Sequence, residues 1–155
     1  SILIPLFLIM NWTGLYDTIP GLWLVHTAYG IPITTLILRN FFATIPAEFQ
    51  EAASVDGCSL VQYYWRILLP VVRPGIAAAL ILEFRATWNE FLFGITLTRS
   101  PESMPVTVYL QTFTSMTEAN WGPLMGATLF TILPTLMIFL AFKRHFVAGL
   151  TGTYK

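Results

Sequence analysis

EAASVDGCSLVQYYWRILLP, residues 51–70, decides how the rest of the chain is read. Between long apolar runs it carries two acids, an arginine, a glutamine and two tyrosines. Lipid tolerates such a mixture poorly, so the segment is expected to lie outside the hydrocarbon layer and to touch another protein. Its local grammar is helical. Pro46 suits the first residue of a helix, Glu48 falls in a first turn where the dipole favours an acid, and Gly57 supplies a left-handed residue that ends it. Ser59 then caps a second helix expected to run to Leu69 and to stop at Pro70. The first helix sets Glu51 beside small Ala52, Ala53 and Ser54, a surface on which a foreign backbone can approach closely. The second places Leu60, Val61, Tyr64, Trp65 and Leu68 in one apolar swath. A helix merely resting among headgroups is the plainer alternative, but its acids would meet an anionic surface on the inner side.

Composition sets the wider frame. The chain has 155 residues, 55% apolar and 10% charged, with a mean hydropathy of +0.68, which points to a membrane. Eight basic and eight acidic residues cancel, leaving no long-range field for nucleic acid. Cys58 stands alone, which excludes an intrachain disulfide and a cysteine-rich metal site.

A helix crosses the hydrocarbon layer in about 20 residues. Residues 21–41 and 121–142 satisfy that without a full charge before Arg39 in the first and with none in the second. Residues 75–97 are long enough too, although Glu83, Arg85 and Glu90 require shielding from lipid. Residues 1–10 read as the tail of a span that starts earlier, the chain being the C-terminal part of a larger protein. Arg39, Arg66 and Arg73 flank the connection 42–74, and Lys143, Arg144 and Lys155 follow the last span, whereas loops 11–20 and 98–120 offer only Arg99. The positive-inside rule therefore puts 42–74 and the tail 143–155 in the cytoplasm and the other two loops outside. Trp12, Tyr16, Trp23 and Trp121 fall where interfacial rings belong. Gly122 and Gly126 have the spacing of a close helix contact.

The spacing Glu51-Ala52-Ala53, three residues, Gly57, nine residues, Ile67, one residue, Leu69-Pro70 resembles the EAA signature of permease subunits of bacterial ATP-binding cassette importers. IPAEFQEAASVDG, LLPVVRPG, WNEFLFG and AGLTG are similar to the carbohydrate branch, nearest the maltose-type second permease; Glu83 and Arg85 depart from it, since relatives are usually apolar there. The resemblance implies an all-α polytopic membrane bundle of the type I permease kind, in which Glu51, Ala52 and Ala53 lie on a cytoplasmic coupling helix seated in a cleft of the ATPase subunit. It implies an ATPase dimer, a second permease subunit and an extracytoplasmic solute-binding protein meeting loop 98–120 as partners, a sugar as cargo, and the bacterial cytoplasmic membrane as location. Glycerol phosphate or another solute stays open as cargo.

Intramembrane ionisable groups are functional candidates by default. Glu83 and Glu90, seven apart, would share a helix face, and Trp88, Asn89, Glu90 and Phe93 form a candidate lining for a sugar path, by stacking and hydrogen bonding. Interhelical bonding with no solute contact is the alternative for the same residues. An ion-coupled carrier using the acids at 83 and 90 is the alternative of another class. His26 and His145 lack partners at ligand spacing, and no Walker loop, catalytic triad or metal motif occurs. The chain is therefore expected to be neither an enzyme nor a holder of metal or cofactor, with ATP hydrolysed in a separate subunit.

Overall fold

A computed structural model describes residues 2–112 and 121–151, with side chains described as far as residue 142. Residues 113–120 of the expected outer loop and 152–155 of the expected tail, with the closing glycine of AGLTG, lie outside the described residues, as do the side chains of Lys143, Arg144 and His145. The elements are α1 (Leu3–Trp12), α2 (Ile19–Ala43), α3 (Glu48–Val55), α4 (Leu60–Gln62), a π-helical turn (Tyr63–Leu68), α5 (Leu69–Trp88), α6 (Leu92–Leu97), α7 (Val106–Thr112) and α8 (Trp121–Thr151). No strand occurs among the described residues. Three helical stretches, Ile19–Ala43, Leu60–Trp88 and Trp121–Phe142, are long and apolar enough to cross a membrane.

Helix α5 is central, packed on α2 at one side and on α8 at the other. Close approach to α2 rests on two glycines. A Cβ at Gly75 would overlap the ring of Phe41, and one at Gly30 would overlap the Glu83 carboxyl. Contact with α8 is fixed by Trp88, whose Nε1 donates to the carbonyl of Thr131 at 2.9 Å. The outer surface of α8 is apolar and exposed, with Leu129, Phe130 and Met137 each at least two-thirds open, as a lipid or subunit environment requires. Gly122 and Gly126 meet nothing within 4 Å, so their spacing serves no contact within the described residues.

Two sequence expectations need correction. Pro70 does not stop the helix begun at Ser59. The wide turn Tyr63–Leu68 shifts the ladder by one residue, Leu69 N–H donating to Tyr64 O; the proline without a donor sits one residue past this shift, and a widened turn relieves its ring from the carbonyl four residues back. Residues 75–97 are not one helix, because α5 ends at Trp88 and the chain turns at Asn89–Phe91 before α6. Glu83 and Glu90 consequently share no helix face. The connection that follows α6 contains a short helix, α7.

Two buried clusters lie at opposite ends of α2. One joins Met10, Leu22, Val25 and Leu97, the other Ala53, Tyr63 and Leu68. At about 1.5 Å per residue, the part of α2 from Val25 to Ala43 separates them by most of the hydrocarbon thickness of a bilayer.

Candidate functional site

At the end of the molecule that follows α2, the EAA stretch folds as two helices joined at Gly57. Glu48 and Glu51 occupy the first turn of α3, where the macrodipole favours acids. Gly57 has φ +73° with nothing within 4 Å of an added Cβ, so conformation rather than space selects glycine there. Its N–H donates to Ser54 O at 3.1 Å and that of Cys58 to Ala53 O at 2.9 Å, the paired closure of a Schellman turn. The next helix starts with a complete capping box. Ser59 Oγ accepts from Gln62 N at 3.3 Å while Gln62 Oε1 accepts from Ser59 N at 3.0 Å, satisfying two orphan donors reciprocally.

This pair of turns fixes which side of α3 is free. Ala53 is buried against Tyr63 and Leu68, with Ile45, Cys58 and Ile67 packed around them. Glu51, Ala52 and Val55 face outward, Val55 at 88% exposure. Of the remaining signature residues, Ile67 and Leu69 are half-buried and Pro70 is exposed. The signature thus divides into an inward part, Ala53 with Ile67 and Leu69, that anchors the helix and an outward part, Glu51 and Ala52, whose side chains are exposed. Of the expected apolar swath, Tyr64, Trp65 and Leu68 line a groove of about 260 Å³ with Phe42, Leu69 and Val72, and Leu60 and Val61 lie outside it.

The four candidate path residues have separate surroundings. Trp88 is engaged with α8 as described. Glu90 accepts from the backbone N–H of Phe93 at 2.7 Å and of Gly94 at 3.1 Å, so its carboxylate caps the start of α6. Asn89 Nδ2 donates to Arg85 O at 2.9 Å. Phe93 packs on Tyr29 with ring centroids 4.7 Å apart and meets His26 edge-on at 6.0 Å.

A residue that sequence reasoning passed over organises the opposite end. Asp17, at φ +57°, accepts from the N–H of Arg99 at 2.7 Å and of Ser100 at 3.0 Å and from the Ser103 hydroxyl. Its own N–H donates to Leu97 O at 2.9 Å. The Ser103 hydroxyl first, then the two amides, hold its carboxyl well below the usual carboxylate range. An acid just before a helix reads only as a cap in sequence, and nothing local pairs it with residues 99–103.

The family model described as "Binding-protein-dependent transport system inner membrane component" matches residues 1–150. A probable ABC transporter permease protein of Pyrococcus horikoshii is 44% identical over 98% of this chain and 55% of its own length. A diacetylchitobiose uptake system permease protein of Streptomyces coelicolor is 31% identical over 99% of this chain and 52% of its own. Among solved structures, a chain of a bacterial ABC transporter involved in import of the acidic polysaccharide alginate superposes with a TM-score of 0.59 at 26% identity, covering 94% of this chain and 52% of that one. The chain therefore spans about half the length of the relatives it matches. With three membrane-length helices, an EAA segment folded as a docked helix pair, and these matches, the chain belongs to the family of inner membrane components of binding-protein-dependent transport systems.

Proposed function

We propose that the chain is the C-terminal half of one permease subunit of an ATP-driven sugar importer, and that α3 is the helix through which a separate ATPase drives the membrane helices. The observation that carries this is the division of the EAA signature. Ala53 is sunk against Tyr63 and Leu68 while Glu51 and Ala52 stay free, so force applied to the outward face passes through packed side chains into the continuous helix Leu60–Trp88.

In this reading Glu51 pairs with a basic residue of the ATPase, Ala52 lets that subunit's backbone come close, and Gly57 holds the two helices at their angle. Ile67, Leu69 and Pro70 carry the motion past the π-helical turn into α5. A second permease completes the path, an extracytoplasmic binding protein delivers the sugar, the loop 42–74 and the C-terminus face the cytoplasm, and no chemistry is performed by this chain. Sugar as cargo is supported by the diacetylchitobiose relative. Within the path, Asn89 and Phe93 are the candidates for solute contact, because Trp88 and Glu90 are already engaged in holding α8 and α6.

The test is transport by the complete importer. Vanadate, which arrests the ATPase, should stop uptake, and the subunit should co-purify with an ATPase. An ion-coupled carrier would instead lose uptake to an uncoupler and be indifferent to vanadate.

A further inference from the structure

We propose that Glu83, with His26, Tyr29 and Phe93, forms a subsite that takes neutral polyhydroxylated solutes and excludes anionic ones. This deepens the sugar-importer reading and rests on it. His26, Tyr29 and Gly30 stand at i, i+3 and i+4, on one face of α2. The Phe93 ring covers the first two and the Glu83 carboxyl lies against the bare backbone of the third. One stripe of α2 therefore gathers aromatic rings and a carboxylate about one turn apart.

Glu83 is the unusual member. It is half-buried in a membrane-length helix, and among the described residues it has neither a hydrogen-bond nor an ion-pair partner. The other charged groups nearby are committed or turned away: Glu90 caps α6, and Arg85, two residues along α5, points to another side of the helix. No titratable side chain occurs on α8 through residue 142. A carboxyl in such a place faces the bundle interior or a water-filled path rather than lipid.

The chemistry selects the ligand. An ionised carboxylate only accepts hydrogen bonds, so it binds hydroxyl donors, and aromatic rings with exposed surface, Tyr29 at 45% exposure among them, can lie along the C–H face of a sugar. The same negative charge repels a carboxylated or phosphorylated solute in a site of reduced dielectric, a repulsive element of the kind that confers specificity.

The experiment uses the full-length subunit assembled with its ATPase, second permease and binding protein in proteoliposomes, with labelled xylose, N,N′-diacetylchitobiose and oligoalginate as probes. The expected result is uptake of a neutral sugar and not of oligoalginate, with sugar moved per ATP hydrolysed falling about tenfold in Glu83→Leu, the loss of one charged hydrogen bond. Glu83→Gln, which keeps an acceptor, should retain more than Glu83→Leu, and Tyr29→Leu should also fall. Unchanged uptake per ATP in Glu83→Leu and Tyr29→Leu overturns the subsite and leaves the importer reading standing. Loss of co-purification with the second permease in both Glu83 variants overturns it in favour of pairing with that subunit. Uptake of none of the neutral sugars by the wild-type importer overturns the subsite and the sugar reading together.

Discussion

The N–H of Cys58 donates to the carbonyl of Ala53 across Gly57 at 2.9 Å, and this one bond ties the end of α3 to the start of the next helix. Because Ala53 is also the buried residue of α3, the turn and the packing fix the same point. The outward face of Glu51 and Ala52 therefore has a set direction relative to α5.

Gly57 is where backbone strain should register. An alanine there costs about 1 kcal/mol in the left-handed region and a β-branched residue more. Gly57→Val should abolish transport with membrane insertion intact, whereas Gly57→Asn, which tolerates that conformation, should retain most of it. Uptake assays beside membrane fractionation check both.

Ala53 and Ala52 should separate stability from docking. Ala53→Leu forces a larger side chain between Tyr63 and Leu68 and should destabilise the pair of helices by about 1–3 kcal/mol. Ala52→Leu meets open space and should leave thermal stability unchanged while weakening co-purification of the ATPase. Melting in detergent and affinity pull-down are the measurements.

The Asp17 clasp makes a pH prediction. The Asp17 carboxyl is held below the usual range, so its folded pKa is depressed relative to the unfolded chain. Its contribution is complete above the unfolded value of about 3.9 and fades only as pH falls through the lower folded one. Protection of the Arg99 and Ser100 amides in hydrogen exchange, corrected for intrinsic rate, should stay flat from neutrality to about pH 4. In Asp17→Ala it should be low throughout.

Gly75 should behave as a helix-packing residue. Gly75→Leu drives a side chain into the Phe41 ring, so it should lower folded yield, and combining it with Phe41→Ala should restore part of the loss. Size-exclusion profiles of the two variants report this.

Much of the fold was legible in the sequence because its signals are local. Long apolar stretches, the first with no charge before Arg39 and the second with none, marked helices α2 and α8, and Ser59 and Gly57 announced a cap and a turn that the structure contains. What failed was local too, but ambiguous. Pro70 reads as a stop unless a π-helical turn precedes it, and Asn89–Phe91 do not stand out as a break inside an apolar run. The hidden part was tertiary. The clasp of Asp17 on residues 99–103 and the seating of Glu83 on Gly30 depend on helices meeting, and no short-range pattern records which helices do.

Cysteine crosslinking from position 52 asks the central question most directly. In the complete importer, Ala52→Cys should form a specific disulfide with a cysteine placed in the cleft of the ATPase subunit, and the bond should arrest uptake until reduced. A position 52 that captures no ATPase while labelling from the outer side of the membrane would contradict the account.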